Sequence, residues 1–150
     1  MSEPERTRHL YADLQHFYAA QMRLLDDGFA EEWAATFEPD GSLVQSHRSS
    51  ARKGRADIAD GLRRTVERLR ASGTVRRHWI GNITIENDSA AADVIHTRYY
   101  ALIVESDGEQ APRVHLSADI RDQLVPDRHT WLVRERTITH DPVPTTTPGK

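Results

Sequence analysis

At 150 residues the chain has the length of one domain with a real core, and with no cysteine it excludes disulfides, thiolate metal sites and a thiol nucleophile. A formal net charge of −3 gives no electrostatic case for nucleic acid or an anionic membrane surface as partner. The polar start Met1-Ser2-Glu3-Pro4-Glu5-Arg6 opens no signal-like apolar run, and no stretch is apolar enough to span a bilayer, so a soluble cytoplasmic protein is expected.

From about Glu5 to Asp26 the pattern is helical, with Leu10, Leu14, Phe17, Tyr18, Leu24 and Leu25 on one broad stripe. His9 and His16 fall off that stripe and read as solvated. Gln21 lies within it, where an amide must find partners; it either bonds nearby backbone or faces a cavity. Asp26-Asp27-Gly28 ends the helix, with Gly28 as C-cap. A second helix is predicted from about Ala30 to Phe37, burying Trp33 and Phe37 at i, i+4. Glu38-Pro39-Asp40-Gly41 reads as a turn, Ser42 to His47 as a strand, and Arg48 to Lys53 as a polar loop. A third helix opens at Gly54 with Asp57 as N-cap, buries Ile58, Leu62, Val66 and Leu69, and stops at Ala71-Ser72-Gly73.

Everything afterwards is strand and turn. The runs fall at roughly 75–86, 91–105, 113–124 and 130–140, joined at 86–89, 106–109 and 125–128, and should form an antiparallel meander. A tail is expected over 142–150, leaving one domain over 1–141. The layout is α+β: three N-terminal helices packed on one face of a strongly curved, mainly antiparallel sheet. In the first long strand, His78, Ile80, Asn82 and Thr84 share one side, and Trp79, Gly81, Ile83 and Ile85 the other. Both sides carry apolar groups, so both should be covered by protein. A histidine there is either a packed core residue or a general acid or base. The sheet face away from the helices is apolar enough that a homodimer is expected.

Several stretches together resemble one family. They are Leu25-Asp26-Asp27-Gly28, Trp33, Phe37-Glu38-Pro39-Asp40-Gly41, Gly54, Arg77-His78-Trp79-Ile80-Gly81-Asn82, and Trp131-Leu132-Val133-Arg134-Glu135-Arg136 with Asp141. Over about residues 8–141 the chain is similar to SnoaL-like domains of the polyketide cyclase/dehydratase group, which have the nuclear-transport-factor-2-like cone fold. Scytalone dehydratase is a more distant likeness. The resemblance implies that His78 is the acid/base histidine and that Asp26 orients it, with Asp27 as the register alternative. It implies substrate contacts at Gln45 and His47 on the first strand, and at Ser117 and Asp119, where that dehydratase has serine and asparagine. The dehydratase's second histidine has no counterpart in Tyr99-Tyr100-Ala101-Leu102-Ile103, and His96 could substitute only in another register. Tyr99 and Tyr100 face opposite ways, and a one-residue bulge would exchange which lines the cavity; Tyr100 is carried as the substrate contact. Gln21 joins the same set.

The eight histidines show no metal-ligand spacing, which leaves open only a metal site assembled across several strands. The sequence contains neither a Gly-rich phosphate loop nor a Gly-x-Ser-x-Gly elbow. The resemblance therefore implies a cofactor-independent dehydratase or cyclase acting on a small polyketide or aromatic substrate. The same fold also hosts non-catalytic ligand-binding modules and small subunits, and cofactor-free oxygenation is a third reading.

Overall fold

The computed structural model describes residues 1–86 and 93–143. Helix α1 (Glu3–Asp27) opens with the Ser2 N–H donating to the Glu5 carboxylate at 2.7 Å and buries Leu14, Phe17, Tyr18, Gln21 and Met22. It ends at Gly28, whose φ of +77° is the left-handed cap expected there. A Cβ at Gly28 would also sit 3.0 Å from Val66 Cγ2, so glycine lets the third helix approach.

Helix α2 (Ala30–Ala34) is shorter than predicted. Thr36 Oγ1 donates to the Trp33 carbonyl and the Val133 N–H takes the Thr36 carbonyl at 2.9 Å, so sheet pairing captures the chain before Phe37. Trp33 and Phe37 still meet edge to face, with ring centroids 5.3 Å apart. Strand β1 (Phe37–Gln45) therefore absorbs the segment 38–41 predicted as a turn, at the cost of a register shift between Phe37 and Ser42. A Cβ at Gly41 would meet the Glu38 and Val133 carbonyl oxygens at 3.0 Å.

The segment predicted as a loop contains a short strand, β2 (Arg52–Lys53), paired with Ser42 and Leu43. Helix α3 (Gly54–Ala71) follows with Lys53, not Asp57, at its N-cap; the Asp57 carboxylate reaches back to accept the Lys53 N–H at 3.1 Å. Its buried residues are Ile58, Ala59 and Leu62, with Val66 and Leu69 partly covered.

The remaining strands are β3 (Val75–Ile85), β4 (Ile95–Ser106), β5 (Arg113–Asp127) and β6 (Thr130–His140). They form the expected antiparallel meander. The sheet order is β2-β1-β6-β5-β4-β3, with β1 parallel to β6. The turn predicted at 125–128 lies two residues later: Pro126 pairs with Trp131, and the hairpin bends over Arg128, at φ +54°, and His129. Most of the turn predicted at 86–89, the start of the strand predicted from 91, and the tail from 144 on fall outside the described residues.

The β3 alternation differs from the simple period-two reading. Asn82 has φ +54°, and the β3–β4 register shifts between Gly81 and Thr84. This bulge moves Ile83 into the core, while Trp79, on the far side from His78, stands 64 % exposed. The outer face is thus not covered by this chain, contrary to the expectation that both faces are. No helix among the described residues is long and apolar enough to cross a membrane.

Candidate active site

The concave face of the sheet, the end of α1, Trp33 and α3 enclose a cavity of about 710 Å³. Its walls are largely aliphatic, with Leu43, Ile58, Leu62, Val66, Ile120 and Ile138 among them. That volume and lining suit a small organic ligand.

His78 lines this cavity from β3, and Asp26 reaches it from the last turn of α1. The Asp26 carboxylate accepts the His78 main-chain N–H at 3.1 and 3.2 Å and meets ring Nδ1 at 2.6 Å. A carboxylate only accepts, so Nδ1 carries a proton, and in the neutral ring Nε2 keeps a lone pair. The double hold fixes backbone and ring together. Asp27 also borders the cavity but does not bond His78.

Gln45 and His47 line the cavity from the end of β1. His47 Nδ1 lies 2.9 Å from His140 Nδ1. Burial, the His47 charge next, lowers the His140 imidazole from its usual range, against an opposing pull from Asp141. Gln21 takes neither expected course. It is fully buried behind the cavity wall and bonds two side chains, donating to Thr36 Oγ1 at 2.7 Å and accepting from Arg136 Nη2 at 2.6 Å.

The other four predicted contacts lie elsewhere. His96, Tyr100, Ser117 and Asp119 are on the outer face of β4 and β5. The register pairs Tyr100 with Asp119 and Leu102 with Ser117, and directly opposed residues share a face. The inward pairs are Tyr99 with Ile120 and Ala101 with Ala118. Asp119 is instead bound by the Arg98 guanidinium, at 3.0 Å from Nε, and this hydrogen bond holds its carboxyl below the usual range. Ser117 donates to Asp141 at 2.5 Å. Where the resemblance implied Ser117 and Asp119, the cavity wall carries Ala118 and Ile120.

Two features escaped the sequence reading. Arg136, on β6, lines the cavity floor with only 2 % of its surface exposed. Its Nε and Nη2 hold Asp122 at 2.9 and 2.8 Å, and its guanidinium lies within 6.0 Å of the Tyr18, Phe37 and Tyr99 ring centroids. Burial opposes the Arg136 charge, but Asp122 outweighs it and its affinity for the proton rises. Burial pushes the Tyr18 and Tyr99 phenols well above their ordinary range, Asp122 adding to the rise and Arg136 opposing it. The signal in the sequence was Asp122 at an inward position between Ile120 and Leu124. The second feature is Trp33. Its indole Nε1 is the one buried side-chain nitrogen or oxygen among the described residues without a hydrogen-bond partner, and the residue borders the cavity.

Among the described residues no three His, Asp or Glu side chains converge as metal ligands. Residues 6–137 match the SnoaL-like domain family. ActVI-ORFA from Streptomyces coelicolor is 31% identical, with a TM-score of 0.80 over 92% of this chain and 99% of its own. A Catenulispora acidiphila protein solved in complex with S-DNPA is 30% identical, with a TM-score of 0.78 over 89% of this chain and 94% of its own. An NTF2-like protein with a cystatin-like fold from Novosphingobium aromaticivorans is 21% identical, with a TM-score of 0.74 over 91% of this chain and 86% of its own, and extends the likeness in fold alone. No curated protein matches the sequence.

Proposed function

The chain belongs to the SnoaL-like domain family, and from that premise we propose that it is a cofactor-independent tailoring enzyme, a dehydratase or cyclase acting on a small polyketide or aromatic ketone. The observation that carries this reading is the His78–Asp26 pair facing a cavity with aliphatic walls and a few polar groups. With its Nδ1 proton given to Asp26, His78 offers Nε2 as a base to a carbon acid next to a carbonyl. The imidazolium that forms stays beside the carboxylate. Such a group contributes roughly 10²–10⁴-fold to a rate. The Trp33 Nε1–H, which has no protein partner, is the donor we assign to a carbonyl oxygen as charge gathers on it. The aliphatic walls suit fused rings, and a relative 30% identical is solved in complex with S-DNPA.

We also propose that two copies pair through the outer sheet face. Trp79 is 64 %, Tyr100 53 % and Leu102 41 % exposed there, with Trp79 directly opposite Leu102.

The test is a mass-spectrometric comparison of metabolites from cells carrying the wild type or His78→Ala. The wild type should deplete a ketone that the variant leaves and yield a product lighter by water or isomeric with it. Identical profiles would contradict the enzyme reading and favour a non-catalytic ligand-binding role.

A further inference from the structure

Parallel pairing of β1 with β6 sets Gln45 beside Ile138, and two residues further on, on the same face, stand His47 and His140. The Ser46 amide extends that pairing to the Ile138 carbonyl, and the His140 N–H donates to Ser46 Oγ at 2.9 Å. The two imidazoles tilt against each other with centroids 4.5 Å apart and Nδ1 atoms 2.9 Å apart. Both border the cavity that His78 borders.

A hydrogen bond between two Nδ1 atoms needs one proton between them. In the neutral pair, the ring that donates from Nδ1 has a lone pair at Nε2. The ring that accepts at Nδ1 has its proton at Nε2. The pair therefore presents one base and one acid on its two outer nitrogens, and the two exchange when one outer nitrogen loses its proton, the central proton crosses and the other outer nitrogen gains one.

We propose that His47 and His140 form a proton relay that supplies the acid of the reaction, with His140 serving the cavity and the more exposed His47 serving water at its mouth. The proposal rests on the reading of His78 as base. Ile80 pairs with Ala101, Ala101 with Ala118, and Ala118 with His140. Three strand spacings of about 4.8 Å, roughly 14 Å along the sheet, thus separate β6 from β3. Both side chains enter the cavity from the concave face, whose curvature turns them toward each other, so that His78 and His140 address adjacent carbons of one substrate ring. The substrate class is a β-hydroxy ketone. His78 Nε2 takes the proton next to the carbonyl, and those C–H electrons form the double bond as the C–O bond breaks. The departing hydroxyl takes the Nε2 proton of His140 and leaves as water. The Nδ1 proton of His47 crosses to His140, and a solvent proton fills His47 Nε2. The relay is then neutral in its mirror tautomer, and it resets when water in the emptied cavity protonates His140 Nε2, the central proton returns to His47 Nδ1 and His47 Nε2 gives its proton to solvent; His78 also returns its proton to solvent, so two protons enter and two leave.

The experiment has two arms on the intact protein. Nitrogen-15 imidazole spectra near neutral pH should show one of the two rings protonated at Nδ1 and the other at Nε2, and His140→Gln should return His47 to an ordinary solvated ring. Both rings protonated at Nε2 would overturn the relay. The second arm uses 3-hydroxy-1-tetralone, which loses water to give 1-naphthol, and follows hydrogen exchange beside the carbonyl in heavy water separately from naphthol formation. His47→Gln and His140→Gln should slow naphthol formation on the order of 10²-fold more than exchange, while His78→Ala should lose both. Naphthol formation at the wild-type rate in both glutamine variants would overturn the relay and leave His78 standing. Wild-type exchange in His78→Ala, with dehydration still slowed in the glutamine variants, would overturn the base and leave the relay.

Discussion

Arg136 and Asp122 face each other across β6 and β5, Nε to Oδ1 at 2.9 Å and Nη2 to Oδ2 at 2.8 Å, where water does not reach either side chain. Tyr18 and Tyr99 add hydroxyl bonds to Asp122 at 3.0 and 3.2 Å, and Gln21 bonds the guanidinium, so partners from α1 and β4 close around the ion pair. Removing one partner leaves the other charged and buried. Asp122→Ala should cost about 3–5 kcal/mol in urea unfolding. The apolar pair Asp122→Leu with Arg136→Met should recover most of that loss, since replacing a whole buried ion pair is often neutral or stabilising. Wild-type stability in Asp122→Ala would show that the pair does not hold the cavity floor.

The exposed Trp79–Leu102 pair predicts a dimer. Sedimentation at micromolar concentration should show two copies for the wild type and one for Trp79→Lys, with unchanged circular dichroism. A monomeric wild type would contradict pairing through this face.

His140 gives a dependence on pH. Burial, with His47 second, lowers its proton affinity in the folded state, so the unfolded chain, with histidine near pKa 6.5, binds the extra proton first as pH falls. The contribution of His140 to stability is whole above about pH 6.5 and is lost as pH drops through the lowered folded value. Urea unfolding at pH 7.5 and 5.5 should show a larger loss for the wild type than for His140→Gln. Equal losses would remove His140 as the cause.

How much of this could be read from the chain depended on the range of the interaction. Helix stripes and the Gly28 cap follow from neighbours three and four residues apart, and the structure carries them close to where they were expected. The His78 strand was legible as well, but the inward turn of Ile83 was not, because a bulge at Asn82 breaks strict alternation. Ser117, Asp119, Tyr100 and His96 fell on the wrong face for a related reason. A likeness transfers residue types, whereas a face depends on strand phase, and a phase error of one residue reverses it. The meeting of His47 with His140 was hidden further still. It needs the parallel β1–β6 pairing, between strands separated by most of the chain, and no local pattern announces that.

The central claim is that His78, oriented by Asp26, moves the proton. The most direct measurement is the turnover of 3-hydroxy-1-tetralone by the wild type, His78→Ala and Asp26→Asn, with calorimetric affinity for 1-naphthol alongside. His78→Ala should lose about 10²–10⁴-fold in kcat while naphthol affinity stays within roughly threefold. Asp26→Asn should lose less, since an amide can still bond the ring but favours the wrong tautomer part of the time. Wild-type turnover in His78→Ala would contradict the account.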